Sequence, residues 1–376
     1  MPLHSKEPKI AHKMDRFCVF CGERPISKTK EHVIPKWLIG MTGDPNRPIN
    51  LPLFRNNLEQ PSRSIAFSSF CFPACDDCNF QFSELEAKMM SVMTKMLKSE
   101  ALTNIEINTT LDWLDKVRIG LWLGILYLEG NPFGISPQFH ISKRVGGKDR
   151  TLVIYRAQEG WKGINFTGVN LPLFHHAPVC FSLLINHLCF FNISTEFLFS
   201  RRLGLPYPQS MQIMEPGKSF AMMMPGRERV MFPLLRYPFS TNGVEIYQPI
   251  FSLKFMLGEG LDELAKLYDT PYVRDLSLFC DSELGAPLIQ QGRSIKKYPN
   301  IPSLDWYPSQ IFDLEALRDL ALIQTLRVQA SLVNDSPTSE DKSVRAKAEK
   351  LRKINLMMAN KIAKAKAVPS SLQGLA

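Results

Sequence analysis

The chain has 376 residues, of which 45% are hydrophobic, and this predicts a globular protein of two or three domains with a sizeable core. Its net charge of +9 favours polyanionic partners such as nucleic acid. Segment 1–13 lacks the apolar core of a secretory signal, and the longest apolar run, 119–128, is too short to cross a bilayer. We therefore expect a cytoplasmic protein with no membrane partner, in which the eight cysteines are reduced.

A short apolar strand is predicted at 17–21, where it leads into the first cysteine pair, and two further short strands are predicted before residue 73. Residues 29–34 can be extended up to Pro35, which cannot continue a strand ladder. Residues 64–72 alternate in hydrophobicity and form the last of these strands. The turn-forming residues between them indicate an insertion that contains a short helix at 37–41. The result is a β-hairpin with a long insert.

Two amphipathic helices are expected after this hairpin. The first begins near Asn79 and has one apolar stripe at three- and four-residue spacing. The second begins near Thr109, which together with Asp112 resembles a capping box, and it ends near Gly130.

The remainder of the chain predicts a β-rich region followed by helices. Short apolar runs separated by Gly and Pro indicate mainly antiparallel strands, at 152–155, 179–185, 188–193, 220–224 and 230–235. Helices are expected at 261–268, 314–333 and 343–367. The last helix is basic, and its stripe of Leu351, Ile354, Met358 and Ile362 favours docking on the body or on a partner. Binding of its Lys and Arg side chains along phosphates is the alternative.

Two Cys-x-x-Cys pairs, Cys18 with Cys21 and Cys75 with Cys78, indicate a metal site. Two intervening residues allow both sulfurs of a pair to face one ion, so four thiolates can close a tetrahedral structural zinc site. Four reduced cysteines without a metal are the alternative, and Cys71 could replace Cys75 as a ligand. The coincidence of two such pairs in one chain favours zinc.

Glu31, His32 and Asn79 are the candidate catalytic residues. If the strand at 29–34 packs on the helix that follows the second cysteine pair, a carboxylate, an imidazole and an amide oxygen meet. Hard oxygen ligands suit Mg²⁺ or Mn²⁺, and His32 would then be available to take a proton from water. A purely structural histidine is the alternative, but its place between two cysteine pairs favours catalysis.

At residues 17–90 the chain resembles an HNH endonuclease of the zinc-knuckle, ββα-metal type. The resemblance rests on the two cysteine pairs, on the stretch 30–37 with the sequence KEHVIPKW, and on Asn79 directly after the last cysteine. It implies that His32 is the general base and that Glu31 and Asn79 bind one catalytic Mg²⁺ or Mn²⁺.

Two further roles follow from this resemblance. HNH enzymes orient the base with a middle residue, for which Asn50 is the best candidate and three others stay open, namely Asn46, Asn56 and Asn57. Glu86 lies two helical turns after Asn79 on the same face and could bind the metal, directly or through water, or hold a loop.

The resemblance implies hydrolysis of DNA, with RNA not excluded, to products that carry a 5′-phosphate and a 3′-hydroxyl. One divalent ion would bridge the scissile phosphate and the leaving oxygen while His32 activates water. Phage defence or a mobile element in a bacterial cytoplasm is the context by analogy. The alternative function is a catalytically inactive zinc-ribbon module that binds nucleic acid or protein.

The predicted fold class is α+β, in three parts. Residues 1–100 would form the HNH nuclease domain with its zinc knuckle, and residues 101–310 a central α+β domain of unknown role. Residues 311–376 would form a charged helical region, through which the chain could contact a protein partner or a second copy of itself.

Overall fold

The structure is a computed structural model in which helices combine with antiparallel sheets, so the predicted α+β class is confirmed. The residues it describes are 17–25, 29–51, 63–66, 70–128, 141–142, 144–205, 207–215, 218–224, 230–235, 242–250, 285–335 and 342–365. The helix predicted at 261–268 lies outside the described residues.

The described elements divide into an N-terminal group, a β-rich group and two final helices. The first group is β1 (Thr29–His32), α1 (Lys36–Met41), β2 (Pro48–Leu51), β3 (Arg63–Ala66), β4 (Cys71–Ala74), α2 (Asp76–Leu97) and α3 (Asn104–Leu128). The second is β5 (Asp149–Ala157), β6 (Ile164–Thr167), α4 (Pro172–His176), β7 (Cys180–Ile185), β8 (Leu188–Thr195), α5 (Ser200–Leu203), β9 (Tyr207–Glu215), β10 (Lys218–Met224), β11 (Val244–Gln248), β12 (Leu288–Gln291), β13 (Ser294–Lys297) and β14 (Ile311–Phe312). The final helices are α6 (Leu314–Asp335) and α7 (Lys342–Ala365).

The predicted hairpin with a long insert is confirmed. β1 pairs antiparallel with β4, so that Glu31 lies opposite Phe72 and His32 opposite Cys71. The insert contains α1 and a separate two-stranded antiparallel sheet of β2 and β3. The second strand predicted at 64–72 is therefore two strands, β3 and β4, which belong to different sheets.

Helix α3 begins at Asn104, so the predicted start near Thr109 is wrong. The capping box that forms lies six residues earlier: the N–H of Thr103 donates to Oε2 of Glu106 (2.8 Å), and the N–H of Glu106 donates to Oγ1 of Thr103 (3.3 Å). Thr109 is inside the helix, where its hydroxyl donates to the carbonyl of Ile105 (2.9 Å). The sequence holds two overlapping signals, and the earlier one forms the capping box.

Eight strands of the β-rich group form one sheet in the order β13-β12-β11-β5-β8-β7-β6, with β14 parallel to one end of β5. β9 and β10 pair antiparallel in a separate two-stranded sheet. Alternate residues of β5 point to opposite faces of the eight-stranded sheet and belong to two different cores. Helix α3 contributes to the core on one face, and α6 contributes to the core on the other. The strand predicted at 230–235 is wrong, since these residues are irregular and include Pro233. Proline cannot donate to a strand ladder.

Helix α3 also packs against the N-terminal hairpin. Glycines on α3 permit the close approach: a Cβ at Gly124 would lie 2.4 Å from Phe70 and 2.6 Å from Phe72. A Cβ at Gly120 would lie 3.4 Å from Val33. One apolar core therefore runs from the hairpin through α3 to the sheet.

Helix α7 packs along α6, as the docking prediction requires. Ala359 and Ala363 are buried against Ile323 and Leu326 of α6. The buried face is offset from the predicted stripe, because Met358 is 38% exposed. Within the described part of the chain, no helix combines the length and apolar character needed to cross a membrane.

Candidate metal centre and adjoining acidic site

Cys18 and Cys21 lie in a tight knuckle that precedes β1. The strand predicted at 17–21 is wrong, because these residues turn so that the N–H of Gly22 donates to the carbonyl of Cys18 (2.8 Å). Gly22 closes this knuckle with a φ of 76°, a left-handed conformation that glycine adopts without steric cost. The N–H of Val19 donates to the carbonyl of Pro73 in β4 (3.0 Å), so the knuckle is attached to the strand that leads to the second cysteine pair.

Cys75 and Cys78 lie at the start of α2. Cys75 is the N-cap residue, with an extended backbone, and Cys78 belongs to the first helical turn. The N–H of Asn79 donates to the carbonyl of Cys75 (2.9 Å), which closes that turn. The two sulfurs therefore face the same side of the helix start.

The four sulfurs of Cys18, Cys21, Cys75 and Cys78 lie within 4.8 Å of one another, and we call this group the cysteine cluster. The distance between the sulfurs of Cys21 and Cys75 is 4.0 Å. Sulfurs bound to zinc at about 2.3 Å in a tetrahedron are about 3.8 Å apart, so a small contraction suffices. The donor set could hold a metal ion such as zinc. Cys71 at the start of β4 is not one of the four, and the alternative ligand assignment is therefore wrong.

The thiols of the cysteine cluster differ in acidity. Burial raises the pKa of Cys78, and the neighbouring thiols raise it further. Burial also raises the pKa of Cys21. At Cys18 burial acts in the same direction, but hydrogen bonds from the backbone of Cys21, Cys75 and Phe20 outweigh it, so that the pKa of Cys18 is lowered. Metal binding must therefore release protons from the more basic thiols.

Glu31 and His32 occupy the end of β1. Adjacent residues of a strand point to opposite faces, and Glu31 is only 7% exposed, whereas His32 is half-buried. Asn79 is half-buried in the first turn of α2, one residue after the cysteine cluster ends. Asn50 lies in β2 opposite Ser64, and its side chain falls outside the described residues. Its role as the base-orienting residue stays a prediction.

A lysine of α3 joins Glu31 to Glu86. The ammonium of Lys116 donates to Oε1 of Glu31 (2.5 Å) and also to Oε1 of Glu86. The lysine side chain is only 2% exposed, and its Nζ lies 5.8 Å from the centroid of the Phe20 ring. Phe20 in turn stacks on Phe82 of α2 with 4.1 Å between ring centroids. The structure thus brings two of the predicted metal ligands together on one buried ammonium.

Burial perturbs the pKa of the Glu86 carboxyl. Burial raises the pKa of Glu86 to about 6, and the negative charge of Glu31 adds to the rise, while the ammonium of Lys116 opposes it. Two carboxylates and one ammonium give this group a formal charge of −1 when all three are ionised.

Sequence reasoning missed Lys116, although the sequence contains a signal for it. Asp115, Lys116 and Arg118 interrupt a helix that is otherwise apolar and buried over 113–126. Buried ions require partners, so charged residues within such a run predict long-range ion pairs. The pattern does not say which residues those partners are.

No protein-family model, no curated protein and no solved structure matches this chain. Two neighbouring features bear on its function: the cysteine cluster, and the two carboxylates that Lys116 joins. Both lie where the knuckle, β1, the start of α2 and α3 meet.

Proposed function

We propose that this chain is an HNH-type endonuclease that hydrolyses phosphodiester bonds in DNA, with a structural zinc in the cysteine cluster. One observation carries the proposal. The strand that bears Glu31 and His32 is hydrogen-bonded to the strand that leads into the second cysteine pair and Asn79. This is the ββα order that the resemblance to HNH endonucleases implies.

The residues present have the chemistry that a catalytic Mg²⁺ or Mn²⁺ requires. Lys116 engages Oε1 of Glu31, which leaves Oε2 as a carboxylate donor, and Asn79 offers an amide oxygen. When bound, the ion would neutralise charge that develops on the phosphate. His32 would accept the proton of the attacking water, because an imidazole titrates near neutral pH.

A nucleic-acid-binding module without catalysis is the second candidate function. The observation that favours it is the ammonium of Lys116, which already pairs with Glu31 and Glu86. Under this hypothesis the two carboxylates serve only to bury the lysine, and the net charge of +9 provides affinity for phosphates.

Cleavage of supercoiled plasmid in Mg²⁺, Mn²⁺ or EDTA tests the proposal, with single-stranded DNA and RNA as parallel substrates. We expect nicking that EDTA abolishes and that His32→Ala slows by at least about 100-fold, as for loss of a general base. Lys95→Met is the control, because Lys95 lies near the far end of α2.

Zinc content and circular dichroism should be the same in His32→Ala as in the native protein. Undiminished cleavage by His32→Ala would overturn the catalytic assignment. DNA binding without metal-dependent cleavage by the native protein would instead support the binding module.

A further inference from the structure

We propose that Lys116 is a positioning residue of this site, and that Glu86 is its counter-ion rather than a ligand of the catalytic cation. The inference rests on the proposed nuclease function, which it deepens by reassigning Glu86. It comes from the packing of α3, a helix outside the stretch that resembles HNH enzymes.

The ammonium of Lys116 is held from several directions. Glu31 of β1 and Glu86 of α2 each accept a hydrogen bond from it, and the ring of Phe20 in the knuckle faces it. An ammonium has three donors, so two carboxylates and an aromatic face account for most of its surroundings. Because the side chain is 2% exposed, water contributes little. The position of the Glu31 carboxylate is therefore fixed by three elements at once.

The number of carboxylates is informative. One carboxylate would neutralise a buried lysine, yet two are present, and Glu31 is the one that belongs to the candidate catalytic pair. Glu86 is then the group that offsets the charge of Lys116 while Glu31 keeps its own charge for another cation. Carboxylates that ligate metals are commonly oriented by such hydrogen bonds from neighbouring groups.

A divalent cation that bridged the same two oxygens would compete with the ammonium. Charges of the same sign about 4 Å apart repel one another, and a divalent ion is repelled more strongly than a monovalent one. Lys116 therefore disfavours a cation that is bound by Oε1 of Glu31 and Oε1 of Glu86 together. Glu31 retains Oε2 for the metal.

Binding of Mn²⁺ to the protein without DNA, measured from the EPR signal of free Mn²⁺, distinguishes a counter-ion from a ligand. Glu86→Gln removes one negative charge and should weaken binding by at least about tenfold. The double variant Lys116→Met with Glu86→Gln restores the net charge of the native group. Glu31 is then the one charged side chain that remains in that group. We expect the Mn²⁺ affinity of the double variant to exceed that of Glu86→Gln by at least about threefold, because the negative charge is restored, and to stay below the native value, because Glu31 is no longer oriented. Its cleavage rate should fall at least about tenfold, because Glu31 is no longer oriented.

Double-variant affinity as weak as that of Glu86→Gln would show that Glu86 is a ligand and would overturn the inference. A cleavage rate of the double variant equal to that of the native protein would also overturn it. The absence of Mn²⁺ binding to the native protein would do the same. The affinity comparison does not use cleavage. An absence of cleavage by the native protein would refute the nuclease function and would be seen separately.

Lys95→Met is the matched control for charge. Lys95 of α2 also forms an ion pair with α3, to Glu106 at 2.5 Å, but it lies about 13 Å along the helix from Glu86. At that distance the interaction is largely screened in about 0.1 M salt, so Mn²⁺ affinity should change little.

A measurement on the native protein covers the case in which the double variant loses its zinc or its fold. Lysine labelled with ¹⁵N at Nζ should give a slowly exchanging ammonium signal for Lys116, because the group is buried and hydrogen-bonded. Lys116→Arg assigns that signal. Its persistence when Mg²⁺ is added supports the inference, and its loss at saturating Mg²⁺ overturns it.

Discussion

Replacement of Cys75 by serine should remove zinc from the protein while leaving the start of α2 intact. Cys75 is both a member of the cysteine cluster and the N-cap residue of α2. Serine is among the most favoured N-cap residues, so the helix loses nothing at that position. Any loss of stability in this variant is therefore caused by the loss of a zinc ligand. Cys71→Ser is the matched control, because Cys71 lies four residues earlier and is not part of the cluster.

The expected size of the effect follows from the number of ligands. Structural zinc bound by four ligands contributes about 10–16 kcal/mol at neutral pH, or about 3 kcal/mol for each ligand. Loss of one thiolate should therefore weaken zinc binding by at least about 100-fold. The cluster joins the knuckle to α2, so this free energy stabilises the region that carries Glu31 and His32.

Zinc per chain, measured by mass spectrometry after dialysis against a weak chelator, should be about one for the native protein and for Cys71→Ser. It should be close to zero for Cys75→Ser, whose thermal unfolding should also begin at a lower temperature. Equal loss of zinc from both variants would refute the assignment of the ligands. Folded native protein without any bound metal would refute the zinc site itself.

Two further predictions concern acidity and packing. Zinc affinity should weaken as the pH falls from 8 to 6, because burial raises the pKa of Cys78 and of Cys21 and the bound ion requires thiolates; chelator competition measures this, and an unchanged affinity would contradict thiolate ligation. Gly124→Val should lower the free energy of unfolding by about 1–3 kcal/mol, because a Cβ there would lie 2.4 Å from Phe70. Gly40→Ala, whose Cβ would meet nothing within 4 Å, should be neutral or stabilising in the same denaturation experiment, and equal effects would contradict the packing of α3 on the hairpin.

Local patterns predicted the features that depend on neighbouring residues. The spacing of two cysteines in each pair sets how their sulfurs face an ion, and all four indeed lie within 4.8 Å. Apolar periodicity likewise located α6 and α7 to within a few residues. Where two local signals competed, as at Thr103 and Thr109, the choice depended on packing that no short window contains.

The pairing of Lys116 lay beyond any local pattern. Its partners Glu31 and Glu86 are 85 and 30 residues away in the sequence, so only the fold brings them together. The same holds for residues 230–235, whose apolar composition suits a strand but which have no strand partner among the described residues. Such features follow from tertiary contacts, which override local preference.

Helix α3 connects the candidate site to the large sheet through adjacent residues. Asp115 pairs with Arg150 of β5 (3.3 Å) and with Arg118 (2.7 Å), whereas Lys116 pairs with Glu31 and Glu86. Consecutive helical side chains point about 100° apart, so one turn of α3 faces both structures. The part of the chain that carries the candidate catalytic residues thus obtains its buried cation from a helix that is itself anchored to the sheet. A rotation of α3 that broke the Asp115 contacts would also move the ammonium away from Glu31, which makes the sheet part of the support on which the site's geometry depends.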